Sequence, residues 1–211
     1  MIPRAVFFDL DGTLHDRAAT LRDWLKGHVD RHLLPAGYAD RFTELDDFGY
    51  RSKREVIPQP VREFALTHNP EALFADFWDH SLAAPVPMVH AETVLRELRA
   101  RGVRLGVVTN GWKKAQTRCL ERTGLAGLVD DVVISQAVGL SKPDPAIYTL
   151  ALTRLGVSAG DAWFVGDSPR NDVWGPQQVG LRAAYLPTGH PLKGETPDVV
   201  LGDWRDVLNL T

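Results

Sequence analysis

Apolar residues follow two patterns along this chain. Short, nearly continuous apolar runs with β-strand character occur at residues 5–8, 103–108, 131–135, 162–165 and 182–186, with a short last one at 199–201. Between them lie helical periods. In residues 90–101, Ala91, Val94, Leu95 and Leu98 fall on one helical face. Further helices are expected over 113–123, over 145–155 and from the end of the fourth run to Val179. Four of these segments stop in one way: Arg101-Gly102-Val103, Thr123-Gly124-Leu125, Leu155-Gly156-Val157 and Val179-Gly180-Leu181. Glycine supplies the left-handed residue that ends a helix, and the apolar residue after it packs back on the last turn. Apolar strands alternating with helices imply a parallel sheet covered on both faces, an α/β fold.

Residues 15–88 break that alternation. They show no strand pattern, are helical in character, and carry Trp24, Leu25, Leu33, Leu34, Phe42, Phe48, Phe64, Leu66, Phe74, Phe77 and Trp78, punctuated by Pro58, Pro60 and Pro70. The expected organisation is an α/β core of residues 1–14 and 89–211, with a helical domain inserted at 15–88.

Composition narrows the function. Of 211 residues, 44% are apolar and 24% charged, an ordinary globular balance. A net charge of −3 leaves no electrostatic footprint for a nucleic-acid polymer or an anionic membrane. No apolar stretch is long enough to span a bilayer, and Asp9 and Asp11 interrupt any export signal near the N-terminus. Cys119 is the single cysteine, so no intrachain disulfide forms, and a cytoplasmic location is expected. Cys119 itself reads as a small structural residue.

The chemistry begins where the first run ends. Val6-Phe7-Phe8-Asp9-Leu10-Asp11-Gly12-Thr13-Leu14 sets two carboxylates two positions apart. In extended chain such residues share a side, so they repel unless a cation holds them together. A hairpin turn at Asp11-Gly12 is disfavoured because helix, not strand, follows. An EF-hand loop is excluded, since its sixth and twelfth positions would be Leu14 and Thr20. Ligands of doubly wound sheets bind beyond the carboxyl ends of the strands. Those ends collect Asp9 and Asp11, then Thr109-Asn110-Gly111, then Ser141-Lys142-Pro143, then Gly166-Asp167-Ser168 with Asn171-Asp172. Carboxylates for a hard cation and a nucleophile, with a hydroxyl, amides and a lysine for phosphate oxygens, form a coherent phosphoryl-transfer set.

In order and spacing these segments resemble the four motifs of the haloacid dehalogenase-like (HAD) superfamily, phosphatase branch. The resemblance implies a Rossmann-like parallel sheet flanked by helices, with an inserted helical cap of the C1 type. It implies Asp9 as the nucleophile and Asp11 as general acid, then base. Thr109 and Asn110 would bind phosphate oxygens, and Lys142 would bind phosphate and keep Asp9 charged. Mg²⁺ would be held by Asp9, the backbone carbonyl of Asp11 and Asp167. Asp172 would be either outer-sphere to that metal or paired with Lys142.

Asp11 favours a phosphatase over a dehalogenase, because halide removal protonates no alcohol. The phosphonate-cleaving branch needs a reactive cap lysine, and Lys26 and Lys53, the only lysines there, show no apolar burial signature. A sugar phosphomutase, or a catalytically silent binding protein on the same fold, are the competing readings. The expected substrate is a small-molecule phosphate ester, with a nucleotidase-like leaning from Thr109-Asn110-Gly111-Trp112 and the helix after it. The expected state is a monomer or homodimer. Substrate-selecting candidates are His15, Tyr50, Arg51, Lys53, Arg54 and Trp112. For each, packing or solvation competes with a role in selection.

Overall fold

The computed structural model describes residues 2–211. These divide into two compact units, one of residues up to Asp16 with Pro87–Thr211, the other Arg17–Val86.

In the first unit, six strands among the described residues form one sheet: β1 (Ala5–Phe8), β2 (Arg104–Thr109), β3 (Asp131–Ile134), β4 (Ala162–Gly166), β5 (Arg182–Tyr185) and β6 (Val199–Val200). Every pairing is parallel, in the order β3-β2-β1-β4-β5-β6. The chain thus builds outward from β1 to β3, then returns to the other side of β1 to lay down β4. That reversal opens a crevice beyond the carboxyl ends of β1 and β4, where such sheets bind ligands. All four residues of β1 are buried, as both faces of a central parallel strand must be. Phe7 packs with Val108, Ile147, Tyr148 and Phe164 on one face. Phe8 stacks on Trp204 from the other side, ring centroids 5.4 Å apart.

The second unit holds α1 (Arg17–His32), α2 (Tyr38–Asp46), α3 (Lys53–Val56), α4 (Pro58–Glu63) and α5 (Pro70–His80). Its core joins Trp24, Leu25, Tyr38, Phe42, Ile57 and Leu73. Under it lies a polar knot. The Asp76 carboxylate receives the Trp24 indole N–H at 3.1 Å and both arms of the Arg31 guanidinium at 2.7 and 2.9 Å, and meets His28 Nδ1 at 2.6 Å. Although burial opposes it, these partners hold Asp76 well below the usual carboxylate range. Burial in turn pushes His28 down, so the knot balances as a carboxylate–guanidinium pair with a neutral imidazole.

The remaining helices of the first unit are α6 (Ala91–Ala100), α7 (Lys113–Arg122), α8 (Ser135–Val138), α9 (Pro145–Leu155) and α10 (Gly175–Gln177). α6 buries the expected face, Ala91, Val94, Leu95 and Leu98. All four stop glycines adopt positive φ, between 61° and 84°. Three features depart from the sequence pattern. The helix expected to run to Val179 is a π-helical turn at Pro169–Trp174 followed by the single turn of α10. Leu33 and Phe48, two of the bulky residues of the helical stretch, are 89% and 54% exposed. Both have positive φ, at 50° and 53°, where the chain reverses after a helix and turns the side chain outward. No helix among the described residues is long and apolar enough to cross a membrane.

Candidate active site

The site is built from backbone turns at strand ends. The Asp9 N–H donates to Val165 O of β4 at 3.0 Å, which places Asp9 at the β1–β4 crevice. Directly after it, Leu10 O accepts from the N–H groups of Thr13, Leu14 and His15. This tight loop presents Asp11. Asp144 caps α9 by accepting from the Ala146 N–H at 2.9 Å, with Pro145 in the first turn. That cap fixes the segment carrying Lys142.

Lys142 and three carboxylates meet in the buried centre. Lys142 Nζ lies 2.8 Å from Asp9 Oδ1 and 2.7 Å from Asp172 Oδ1. The second oxygen of Asp172 accepts the Ser168 N–H at 2.9 Å. Asp172 is therefore the structural partner of the lysine, one of the two roles left open above. Carboxylate oxygens of Asp9, Asp167 and Asp172 lie within 4.8 Å of one another. Burial and this crowding show in the acidity of Asp9 and Asp167. Burial pushes Asp9 up to about 7 against the pull of Lys142, with Asp172 and Asp11 adding to the push. Burial, then Asp9 and Asp172, push Asp167 up to about 8. Burial would lower Lys142, but Asp172 and Asp9 outweigh it and hold the ammonium above its usual range. Lys142 offsets one negative charge, and a hard divalent cation taking only oxygen donors suits the excess.

Asp167 is hemmed in by backbone. A Cβ on Gly12 or on Gly189 would come within 2.2 Å of its Oδ2. Thr188 Oγ1 also donates to Gly12 O, so the loop after β5 closes on the loop after β1. Gly189 escaped the sequence reading; its signal is a glycine three residues beyond a strand run. Gly189→Ala is expected to displace the Asp167 carboxylate and lower turnover by about 10²-fold, the scale of an ångström-sized misplacement. Steady-state kinetics on the variant, with its melting temperature, check this.

A second group surrounds Asp11. His15 Nδ1 lies 2.7 Å from Asp11 Oδ1, and Gln116 Nε2 donates to Asp11 Oδ2 at 3.0 Å. The same Gln116 amide reaches Thr109 Oγ1 at 2.9 Å and Asn110 O at 3.1 Å. The Asn110 side chain is committed elsewhere. Its Nδ2 donates to Lys142 O and its Oδ1 accepts the Lys142 N–H, each at 2.9 Å. Its carboxamide thus locks the second motif to the third. Gln116 also went unnoticed in the sequence. Its signal is a polar residue on the buried face of α7 shared with Cys119 and Leu120. Burial pushes the Cys119 thiol well above its usual range, so it stays neutral.

The other candidates are placed as follows. Trp112 immediately precedes α7 and is 47% exposed. Tyr50, Arg51, Lys53 and Arg54 belong to the helical unit. Lys53, in a run of cations that reads as solvated, is only partly exposed, and its Nζ pairs with Asp46 and donates to Arg51 O. Arg17 completes that cluster with two bonds to Asp46. Arg54 pairs with Glu71 at 3.1 Å and covers the Phe74 ring at 4.2 Å. Tyr50 is about half exposed and Arg51 partly buried.

The haloacid dehalogenase-like hydrolase family model matches residues 3–180. The chain belongs to the haloacid dehalogenase-like hydrolases. It is 30% identical to the glyceraldehyde 3-phosphate phosphatase of Methanopyrus kandleri, over 98% of this chain and 96% of that one. It is also 41% identical to the phosphoserine phosphatase of Thermus thermophilus over 119 residues, 56% of this chain but only 48% of that relative. In fold it matches the HAD hydrolase YfnB of Bacillus subtilis, solved with bound magnesium, with a TM-score of 0.82, 20% identity and full coverage of both chains. The chain is thus an enzyme of a hydrolase family whose curated relatives are phosphatases.

Proposed function

We propose that this HAD hydrolase is a Mg²⁺-dependent phosphatase that splits small-molecule phosphate monoesters through an aspartyl-phosphate on Asp9. The observation that carries the reading is the Asp9 carboxylate, held 2.8 Å from the Lys142 ammonium and grouped with Asp167 and Asp172 at the β1–β4 crevice. The oxygen donors of Asp9 and Asp167, with the Asp11 carbonyl, would hold the cation. When bound, Mg²⁺ supplies positive charge against the phosphate oxygens.

Asp9 attacks phosphorus, and the ester P–O bond breaks as Asp11 gives its proton to the departing alkoxide. Water then attacks the aspartyl-phosphate, its proton passes to Asp11, and the P–O bond to Asp9 breaks to free phosphate and the carboxylate. Lys142 offsets charge on the phosphoryl oxygens and pulls Asp9 toward its ionised form against the push of burial. Thr109 Oγ1 and the backbone N–H of Asn110 complete the oxyanion contacts. In this reading residues 17–86 act as the C1-type cap that chooses the leaving group.

The relatives named above act on three-carbon phosphate esters, which makes small alkyl phosphates the first substrates to test. Initial rates with Mg²⁺ on phosphoserine, glyceraldehyde 3-phosphate, phosphoglycolate, nucleoside monophosphates and p-nitrophenyl phosphate are the test. Turnover of an alkyl ester with release of inorganic phosphate is expected. Absence of phosphate release from the whole panel would overturn the reading.

A further inference from the structure

Two buried side chains outside the family motifs converge on Asp11. His15, 1% exposed, stands on the loop after β1, with Nδ1 2.7 Å from Asp11 Oδ1. Gln116, 5% exposed, comes from α7, with Nε2 3.0 Å from Asp11 Oδ2. The Asp11 side chain is itself 34% exposed, so it stays open to solvent while both its oxygens are tied to buried groups. We infer that Gln116 and His15 are positioning residues that aim the Asp11 carboxyl at the leaving group. The inference rests on the phosphatase reading above and goes beyond it.

Packing alone does not account for Gln116. It lies on the face of α7 that buries Cys119 and Leu120, where a leucine or methionine fills the same volume without burying an amide. Instead, one Nε2 serves Asp11 Oδ2, Thr109 Oγ1 and Asn110 O, all within 3.1 Å. That single group therefore fixes the proton-transfer carboxyl relative to the hydroxyl and backbone expected to grip the phosphate. His15 fixes the other oxygen. A carboxyl bound at one oxygen still swings about its side-chain torsions; bound at both, it keeps its plane.

The role can be separated from mere support of the fold by the leaving group. Expelling an alkoxide needs a proton from Asp11, whereas p-nitrophenolate leaves readily without one. Because kcat/KM reports events up to the first irreversible step, the aryl ester is insensitive to the aim of Asp11 in that parameter. The experiment compares wild type with Gln116→Met and with His15→Asn, which keeps an amide near Nδ1. It measures kcat/KM for p-nitrophenyl phosphate and for whichever of phosphoserine, phosphoglycolate and glyceraldehyde 3-phosphate the wild type splits fastest. Gln116→Met is expected to lower the alkyl value by about 30-fold more than the aryl value, a part of the roughly 10²–10⁴-fold that general acid catalysis supplies; any loosened grip on the phosphate falls on both esters alike. His15→Asn is expected to shift the ratio less than His15→Leu. A ratio is indifferent to the fraction of folded protein, so partial misfolding does not obscure the result. Equal losses for both esters, or no loss for either, in Gln116→Met and His15→Leu overturn the positioning role and leave the phosphatase reading standing. A wild-type protein that splits neither ester overturns both.

Discussion

Asp9→Asn is expected to lower turnover of every phosphate ester by about 10⁴-fold or more, the scale seen when a covalent nucleophile is removed. The same variant is expected to melt at or above the wild-type temperature near neutral pH. The second half follows from the cost of the native residue. Burial, with Asp172 and Asp11 near it, pushes Asp9 up to about 7, so its ionised form is disfavoured in the metal-free fold despite Lys142. A neutral carboxamide of equal size removes that cost, and Lys142 keeps its 2.7 Å bond to Asp172. Loss of activity with undiminished stability marks a residue kept for chemistry at the expense of the fold. Parallel loss of both would instead make Asp9 a structural member of the buried cluster. Steady-state assays and thermal melts on one preparation read both quantities.

Magnesium is expected to raise the melting temperature of the wild type, and to raise it more at pH 8.5 than at pH 6. The sign follows from the two perturbed acids. Asp9 and Asp167 titrate in the folded state near 7 and 8, above their unfolded values. Their contribution to metal-free stability is fully present below the unfolded carboxylate range. It is lost as pH rises from about 4 through the folded values near 7 and 8. A cation needs the deprotonated oxygens, so it competes with protons at pH 6 and meets two carboxylates at pH 8.5. At a hundredfold excess over Kd the gain approaches about 2.7 kcal/mol. Asp167→Asn is expected to remove most of the shift, and Asp172→Asn, at a residue already tied to Lys142 and the Ser168 N–H, to remove less. A shift that is equal at the two pH values, or that survives Asp167→Asn, would place the cation elsewhere. Differential scanning fluorimetry across the pH series settles it without any activity readout.

How much of this was legible in the sequence depends on the range of the force that fixes each feature. The α/β class was readable because it is written locally, in apolar runs, a 3.6-residue period and glycine stops. The placing of Asp9, Asp11, Thr109, Lys142 and Asp167 at or beyond strand ends was readable because polar residues stand out where an apolar run stops. Strand order was not read, since the reversal between β3 and β4 is set by pairing across more than a hundred residues. Gln116 was hidden because a lone glutamine on a helix face gives no sign of what it meets; its partners are 105 and 7 residues away. Gly189 was hidden for the same reason, its value lying in the approach of Asp167 from another strand. The commitment of the Asn110 side chain to the Lys142 backbone was hidden too, because it is a contact between two loops. Lys53 looked solvated in a run of cations, yet Asp46 draws its amine inward together with Arg17.

Asp9 as the atom that takes the phosphoryl group is most directly tested by acid quench of wild-type protein during turnover of p-nitrophenyl phosphate with Mg²⁺. Protease digestion and mass measurement of the fragment spanning β1 and its loop follow. One added phosphoryl group on Asp9, absent from Asp9→Asn and chased away by further incubation in water before the quench, is the expected result. Continued phosphate release from Asp9→Asn at wild-type rates, or a phosphoryl group carried by another residue, would contradict it.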